Sequence, residues 1–388
     1  KEEGKIPNLE APKIKAARVA SGSGFGGGGG GGSSASNKKQ QSNKKKSAGT
    51  SGSTSSKPQA QTTKKNNNKA RSSSPLAIEQ AKIVTRDGVL RIDKALSPAL
   101  ADAVREHVLE EQRLAEKATS KNAHVSREYY GVENRRKKRC DLLLSLVAPE
   151  EQEQEESSTT TSSKHNAAAI QRENIMPKVL NELLGQDGTL RLIYEELVTM
   201  EGEFYELAAV ITDPGSDRQQ IHPDLPFRQE APLYVIFLAL QDVTESMGPT
   251  TFLLGSQSYE ERVKFDDLSQ RDEQLATANS RLALLKKGDA VLFDARLLHC
   301  GNANDELNGA TRAMLNFSFR NPKETGNLGY CGSMRPGYVG AMTLGDVTDA
   351  LLQYDMGDED PFARYGNGLV LVDATEARTT TAGGGGEF

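Results

Sequence analysis

The sequence predicts a mainly β fold, a sandwich or barrel of short strands with helices packed against it. The first observation is a series of apolar extended runs in the second half of the chain, at residues 205–212, 232–241, 250–254, 289–294, 297–300 and 313–320. Pro, Gly and Asp turns separate these runs, as is typical of all-β domains. The second observation is that leucines recur at helical spacing in segments before residue 201, which predicts helices that cover one face of a sheet.

A disordered, basic, low-complexity tail is predicted for residues 1–75. The tail contains seven consecutive glycines at residues 26–32, many Ser, Asn and Gln, and almost no large apolar side chain. Such a composition buries too little apolar surface to offset the chain entropy lost on folding. The tail carries 15 Lys and Arg against three Glu, whereas the remainder carries 33 Lys and Arg against 50 Asp and Glu. An acidic folded region is expected at residues 76–378, with a second flexible tail at 379–388.

The basic tail raises the question of nucleic-acid or membrane-surface binding. No aromatic residue lies between its lysines except Phe25, which argues against base stacking and favours a solvated extension. The chain contains no apolar run of eighteen residues, so no membrane span is expected. The expected partner is a small-molecule substrate, and the oligomeric state is left open.

The cysteine content indicates a reducing compartment. Only three cysteines occur, Cys140, Cys300 and Cys331, and so small and odd a number argues against a secreted disulfide scaffold. The expected location is intracellular, with the cytoplasm preferred. Basic runs at residues 44–46 and 135–139, and the Ser-rich start of the chain, leave the nucleus or an organelle open.

Several short elements are predicted at the beginning of the folded region. Ser97 and Pro98 fit the N-cap and first turn of a helix that continues to about residue 117. Further helices are predicted at residues 77–82, 177–184 and 189–200. Extended segments are predicted at residues 83–85, 88–93 and 140–147.

Two insertions are predicted in the folded region. Residues 150–165 are acidic and then rich in Ser and Thr, which indicates an exposed loop. Residues 259–285 are charged and interrupt the series of strands. We expect this second insertion to be helical and to lie over the entrance of the site described next.

Two histidines and one carboxylate form a candidate metal site. His222 and Asp224 are separated by one residue, so their side chains share a face of extended backbone. A second histidine, His299, follows the apolar run that ends at Asp294, and Arg312 comes thirteen residues later. Two histidines and one carboxylate leave coordination positions open on Fe(II), as in non-haem oxygenases. An arginine can hold the far carboxylate of a 2-oxo acid through two hydrogen bonds.

The order and spacing of these motifs also carry a family resemblance. The residues concerned are His222-Pro-Asp224, the segments 233–243, 247–256 and 288–294, then His299-Cys-Gly and Arg312. Together they resemble the phytanoyl-CoA dioxygenase (PhyH-type) family of Fe(II)/2-oxoglutarate-dependent oxygenases. The resemblance covers about residues 83–336. The chain departs from it at residues 254–257, which read Leu-Gly-Ser-Gln where the family usually has Pro-Gly-Ser-His.

The resemblance implies both a fold and a reaction. The fold is the double-stranded β-helix, a jelly-roll or cupin-type barrel with flanking helices. The implied cofactors are Fe(II), held by His222, Asp224 and His299, with 2-oxoglutarate as co-substrate and O2 as oxidant. The implied reaction hydroxylates a C–H bond of a small-molecule or lipid-like substrate and releases succinate and CO2.

The resemblance also suggests which residues bind the co-substrate. Arg312 is the expected partner of 2-oxoglutarate, because the family's arginine follows the second histidine by a similar interval. Arg320 is a competing candidate on the same strand. Thr251, Asn302 and Asn304 are candidates for hydrogen bonds to the same co-substrate.

Two other classes of protein stay open at the level of sequence. One is a non-catalytic barrel that serves as a binding or scaffold module. The other is a cupin-type metalloenzyme that does not use 2-oxoglutarate. The complete ligand set favours the oxygenase over the scaffold module, and the dependence of turnover on 2-oxoglutarate would separate it from the cupin-type metalloenzyme.

Overall fold

The structure is a computed structural model that describes residues 74–134, 138–146, 174–329, 342–358 and 361–362. Three of the predicted segments fall outside these residues: the tail up to residue 73, the insertion at residues 150–165 and the tail at residues 379–388. Nothing in the structure tests them, and they stay predictions.

Helices and strands alternate irregularly along the described residues. The helices are α1 (Pro75–Asp87), α2 (Pro98–Lys121), α3 (Ser126–Tyr129), α4 (Ile175–Leu184), α5 (Arg191–Val198), α6 (Tyr259–Asp266), α7 (Leu268–Thr277) and α8 (Leu344–Asp355). The strands are β1 (Val89–Ile92), β2 (Tyr130–Asn134), β3 (Arg139–Leu143), β4 (Glu203–Thr212), β5 (Leu233–Ala239), β6 (Thr250–Leu253), β7 (Ser280–Leu282), β8 (Ala290–Asp294), β9 (His299–Gly301) and β10 (Arg312–Arg320).

The strands form two antiparallel sheets. The larger sheet has seven strands in the order β1-β8-β5-β10-β4-β3-β2, and the smaller has three in the order β7-β6-β9. The partners of β10, which are β4 and β5, come from earlier parts of the chain. An isolated bridge between His222 and His299 adds one more segment beside β9.

The two sheets face each other across an apolar core. Val235 and Phe293 of the larger sheet pack in one cluster with Phe252 of the smaller sheet. The ring centroids of Phe252 and Phe293 are 5.1 Å apart, so the sheets are in direct contact. Two facing antiparallel sheets with flanking helices confirm the predicted double-stranded β-helix.

Helices cover the opposite face of the larger sheet. Along β10, Leu315, Phe317 and Phe319 pack in the helical layer, whereas Met314 packs in the core between the sheets. This alternation follows the two-residue period of a strand. Helix α5 places Tyr194 against Phe319, with ring centroids 4.8 Å apart. None of the described helices is long and apolar enough to cross a membrane.

One predicted extended segment is wrong. Residues 83–85 belong to α1, which continues to Asp87 and ends at Gly88 in the left-handed conformation. Ala77, Ala81 and Val84 are the buried residues of α1. Their spacing places them on one side of the helix, so the packing of that side extends the helix through residues that also suit a strand.

The insertion at residues 259–285 is helical as predicted, but it also contains a strand. Helices α6 and α7 form a pair, and the chain then enters β7, which pairs with β6. β7 has only three residues, none of them fully buried, so hydrophobic alternation gives no signal for it. Three further elements, α3, β2 and α8, were not predicted from the sequence. Helix α8 begins with a capping box, in which Thr343 and Asp346 bond each other's backbone N–H groups.

Replacement of Gly288 by alanine is expected to destabilise the fold. Gly288 has a φ of +87°, and a Cβ atom there would lie 2.2 Å from the carbonyl oxygen of Leu96. That carbonyl belongs to backbone, which cannot move aside as a flexible side chain can. We expect a loss of about 2 kcal/mol or more in the free energy of unfolding, measured by urea titration.

A matched control separates the clash from the backbone conformation. Gly255 has a φ of +78°, but no atom would lie within 4 Å of a Cβ atom at this position. Gly255→Ala should therefore lower the free energy of unfolding by only about 1–2 kcal/mol, the cost of holding an alanine at a positive φ. Equal losses for the two variants would contradict the close contact between Gly288 and Leu96.

Candidate functional site

Backbone pairing brings the three candidate ligands together from distant parts of the chain. His222 lies in the loop between β4 and β5, and His299 is the first residue of β9. The two histidines exchange backbone hydrogen bonds with N···O distances of 3.0 and 2.9 Å. The backbone N–H of Asp224 donates to the carbonyl oxygen of Ala295, at 3.0 Å. The spacing of the ligands is therefore set by main-chain hydrogen bonds.

The three side chains converge on one point. Their ligand atoms all lie within 4.8 Å of one another. Oδ1 of Asp224 is 3.4 Å from Nε2 of His299 and 3.9 Å from Nε2 of His222. Nδ1 of His222 is 2.8 Å from the carbonyl oxygen of Gln220, and Nδ1 of His299 is 2.9 Å from that of Leu297. A carbonyl accepts from Nδ1–H, which leaves both Nε2 atoms available as ligands.

The site has one apolar wall and one open side. His299 is 4% exposed, and its ring lies 5.8 Å from that of Phe252 and 5.2 Å from that of Phe293. The Asp224 side chain is 33% exposed, and that of His222 is exposed to a similar degree. A cation held here would be shielded by the core on the His299 side and accessible to small molecules on the other.

The three groups influence one another's protonation. Burial lowers the pKa of His222, and the nearby His299 lowers it further. Burial opposes protonation of His299 too, but the charge of Asp224 and its hydrogen bond more than offset this and raise the pKa of His299. Removal from water opposes ionisation of Asp224, yet the two histidines lower its pKa. The carboxylate is therefore ionised at neutral pH, and a divalent cation would displace any proton on Nε2 of His299 when it binds.

The donor set fits an iron ion. Two imidazole nitrogens and one carboxylate oxygen on one side of a cation leave the other side free, which is the arrangement used by non-haem Fe(II) oxygenases. Among the described residues, no other group of three His, Cys, Asp or Glu side chains lies close enough to hold a metal.

Arg312 is a buried cation without an acidic partner. Its side chain donates from Nη1 to the carbonyl oxygen of Gly248, and its Nε is buried without a hydrogen-bond partner. No described carboxylate forms an ion pair with it. Burial lowers the pKa of Arg312 to about 9, and the charge of Arg139 contributes to the shift. A buried guanidinium in this condition would gain from an anion that approaches Nε.

Arg139 and Thr212 stand beside Arg312 in the sheet. Thr212 of β4 pairs with Arg139 of β3 on one side and with Arg312 of β10 on the other. Directly paired residues of neighbouring strands point to the same face. Nε of Arg139 and Oγ1 of Thr212 are also buried without a partner, so all three side chains keep unused hydrogen-bonding atoms. A Cβ atom at Gly301 would lie 3.2 Å from both terminal nitrogens of Arg139, which therefore lies close to the segment that carries His299.

The other predicted co-substrate residues divide into two groups. Asn302 donates from Nδ2 to Oγ1 of Thr251 at 2.8 Å, and both adjoin the segment whose Gly248 carbonyl accepts from Arg312. Asn304 instead donates to the carbonyl oxygens of Thr212 and Ala310, at 3.1 and 2.9 Å. Both N–H groups of Asn304 are thus used by the protein's own backbone.

Arg320, the competing arginine, is already engaged at the far end of β10. It donates to the carbonyl oxygens of Glu324 and Gly326, and it lies 3.6 Å from the carboxylate of Glu203. Unlike Arg312, it has an acidic partner and no unused buried nitrogen.

Gln257, at the point of departure from the family pattern, contacts the end of helix α1. Its Nε2 donates to the carbonyl oxygens of Thr85 and Arg86, at 3.0 and 3.1 Å. Both carbonyls belong to the last turn of α1, where no further turn supplies donors. Gln257 therefore caps this helix.

Sequence reasoning missed Arg139, Thr212 and two further inward-facing residues. Asn316 and Ser318 of β10 are buried, and Oδ1 of Asn316 and Oγ of Ser318 have no partner. Both alternate with the apolar residues that face the helices, so they point to the side of the sheet that carries Arg312. The alternation of β10 was a signal for these two residues, but Arg139 is the last residue of the basic run at 135–139 and lies just outside the extended segment predicted at 140–147.

Comparison with known proteins gives several similar solved structures. No curated protein sequence matches the chain. SnoK, a non-heme α-ketoglutarate-dependent carbocyclase from nogalamycin biosynthesis, is 14% identical, with coverage of 63% of this chain and 83% of its own, at a TM-score of 0.42. The epimerase SnoN, solved with Fe3+, α-ketoglutarate and nogalamycin RO, is 16% identical. The match covers 64% of this chain and 85% of SnoN, at a TM-score of 0.41. AviO1 from Streptomyces viridochromogenes is 16% identical. The match covers 64% of this chain and 96% of AviO1, at a TM-score of 0.36.

A family match covers the region that contains the candidate site. The family described as phytanoyl-CoA dioxygenase (PhyH) matches residues 84–308, more than half of the 388-residue chain. The matched region contains His222, Asp224 and His299, the three side chains that meet in space. The chain belongs to the phytanoyl-CoA dioxygenase (PhyH) family, and it is an Fe(II)- and 2-oxoglutarate-dependent oxygenase.

Proposed function

We propose that this oxygenase hydroxylates a C–H bond of a small molecule and that His222, Asp224 and His299 are its iron ligands. The observation that carries the proposal is the convergence of the three ligand atoms within 4.8 Å, with both Nδ1 atoms already bonded to backbone carbonyls. When bound, Fe(II) and 2-oxoglutarate supply the activation of O2, the transfer of hydroxyl to carbon, and the release of succinate and CO2.

Arg312 is proposed to bind the distal carboxylate of 2-oxoglutarate, with Thr212 and Arg139 beside it. The support is the row of unused atoms in neighbouring strands: Nε of each arginine and Oγ1 of the threonine. An anion that accepts from these groups would satisfy buried donors and compensate two cations. Thr251 and Asn302 are proposed to border the same pocket, whereas Asn304 holds the loop that precedes β10.

The substrate is proposed to carry hydrogen-bonding groups. Asn316 and Ser318 offer unused polar atoms on the inner face of β10, beyond Arg312. A purely aliphatic chain against these atoms would leave them unsatisfied in a dry interior, which costs about 1–3 kcal/mol for each group. A polar small molecule therefore fits the inner face better than an unsubstituted acyl chain.

The direct test is an anaerobic titration of metal-free protein with Fe(II) and 2-oxoglutarate. A 2-oxo acid that chelates iron gives a visible charge-transfer band, which should appear in the wild type and be absent from His222→Ala. A band would justify a substrate screen by succinate release. Failure of the wild type to bind iron would overturn the assignment of the ligands.

Arg312→Met is expected to weaken 2-oxoglutarate binding roughly 10- to 100-fold. The variant removes charge-assisted hydrogen bonds to the carboxylate, worth about 1.5–3 kcal/mol each. The measurement is the concentration of 2-oxoglutarate that gives half of the charge-transfer band at saturating Fe(II). Iron binding itself should be retained, because Arg312 contacts none of the three ligand side chains in the described structure.

Arg320→Met serves as the control, because it removes an arginine from the same strand at the end distant from Arg312. Its 2-oxoglutarate affinity should equal that of the wild type. An unchanged affinity in Arg312→Met would overturn the role of Arg312 and would mean that another group binds the distal carboxylate of 2-oxoglutarate.

A further inference from the structure

We propose that Arg296 is a positioning residue for the iron site and that it fixes both chain segments that carry the ligands. The inference rests on the proposed function, because it concerns the geometry of the same three ligands. Arg296 lies between β8 and β9, three residues before His299, and none of its atoms is a candidate ligand. Its role follows from what it connects.

The first connection fixes the turn before His299. Nε of Arg296 donates to Oδ1 of Asp294 at 3.0 Å, and Nη2 donates to Oδ2 of the same carboxylate at 2.6 Å. The same carboxylate accepts from the backbone N–H of Arg296 at 2.9 Å. The Asp294 side chain is 1% exposed and that of Arg296 is 13% exposed, so the ion pair is hardly weakened by solvent. The turn is therefore held rigidly at the point where the chain enters β9.

The second connection fixes the loop after Asp224. Nη1 of Arg296 donates to the carbonyl oxygens of Arg228 and Gln229, at 2.7 and 3.0 Å. The guanidinium also lies 5.8 Å from the ring centroid of Phe227. All five N–H groups of an arginine are fixed in one plane, so one side chain can hold two segments in a set orientation.

Between these connections lies the backbone contact that positions Asp224. The carbonyl oxygen of Ala295 accepts from the N–H groups of Asp224 and Leu225, at 3.0 and 3.2 Å. Ala295 is flanked by Asp294 and Arg296, the two members of the ion pair. Among the described side chains, the Asp224 carboxylate forms ion pairs only with the two histidines. Its orientation therefore depends on the backbone that the Asp294–Arg296 pair holds in place.

The other end of β8 offers a matched pair. Arg91 forms an ion pair with Asp289 at 2.8 Å and donates to the carbonyl oxygen of Leu284 at 2.9 Å. The side chains are 19% and 4% exposed, similar to those of Arg296 and Asp294. Both pairs thus join a buried aspartate at one end of β8 to an arginine and a distant backbone carbonyl. Only the Arg296 pair adjoins the ligand-bearing segments.

The experiment compares Arg296→Met with Arg91→Met in the full chain. Both variants should lose stability to urea, because each leaves a buried aspartate without its cation. Metal affinity is measured with Mn(II) alone, from the electron paramagnetic resonance signal of the free ion, and then with Fe(II) and 2-oxoglutarate from the charge-transfer band. We expect Arg296→Met to bind both metals about 10- to 100-fold more weakly, the range for loss of a group that orients metal ligands. Arg91→Met should bind as the wild type does.

A third variant, Arg296→Lys, keeps the charge but loses the planar fork. It should pair with Asp294, fold, and recover only part of the metal affinity, because one ammonium cannot bond both segments in fixed geometry. If Arg296→Met does not fold, the metal affinity of Arg296→Lys alone decides. An affinity weaker than that of the wild type would support the positioning role, and an equal affinity would overturn it. Equal metal affinity in the arginine variants and the wild type would overturn the positioning role while leaving the iron site intact. Absence of metal binding in the wild type would overturn the iron site as well.

Discussion

Replacement of His299 by alanine is expected to abolish iron binding and turnover. His299 provides the most deeply buried ligand atom, and Asp224 interacts more closely with it than with His222. Without it, a cation would keep two ligands on the exposed side of the site and lose the one supported by the apolar wall. The loss of affinity should exceed the roughly 10- to 100-fold that follows removal of an outer partner of a ligand. Anaerobic titration with Fe(II) and 2-oxoglutarate, followed by the charge-transfer band, measures it.

His124→Ala provides the control for this variant. His124 is an exposed histidine in a single turn of 3-10 helix, distant in sequence from every candidate ligand. The His124→Ala variant should bind iron and 2-oxoglutarate as the wild type does. A wild-type band in His299→Ala would mean that another residue binds the metal and that the convergence of the three side chains has another cause.

Replacement of Phe319 by alanine is expected to give the largest loss of stability. Phe319 is fully buried between the larger sheet and the helices, with ring centroids 4.8 Å from Tyr194 and 5.1 Å from Phe204. A cavity of this size surrounded by other aromatic rings cannot collapse fully. The free energy of unfolding should fall by about 3–5 kcal/mol, as found for Phe to Ala changes in protein cores. Urea unfolding followed by circular dichroism gives the value.

The control is Leu307→Ala, which removes an apolar side chain of comparable type from the surface. Leu307 is 90% exposed, so its truncation should change the free energy of unfolding by less than about 0.5 kcal/mol. A loss below about 1 kcal/mol in Phe319→Ala would contradict the packing of β10 against α5.

The fold could be predicted from sequence where packing and local pattern agree. The strands that contribute most to the core, β4, β5, β8 and β10, have long apolar runs bounded by turns, and all four were predicted within a few residues. The exceptions have weak patterns. β7 has three half-buried residues, and the start of the folded region has a helix where a short extended segment was predicted at residues 83–85. In both, contacts with distant residues decide the local conformation.

The candidate site was predictable only in part, for a similar reason. The His222, Asp224 and His299 set follows from residue type and spacing, because few patterns place two histidines and one carboxylate in such an order. Arg139 could not be assigned from sequence. It adjoins the site only because β3 pairs with β4, and the register places Arg139 opposite Thr212. A shift of one residue would turn it to the helical side of the sheet.

Hydrophobic period, a local property of the chain, was enough to predict a mainly β fold. The order and spacing of motifs that resemble the PhyH family were enough to predict the family and the three candidate ligands. The tertiary structure decided which groups remain unsatisfied. Arg312, which the family resemblance favours, and Arg320 lie on the same strand, yet one is buried without an anion and the other is paired at the far end of β10. Burial and cross-strand neighbours depend on residues far apart in the chain, so whether a buried charge lacks a partner is apparent only after the sheets have closed on each other.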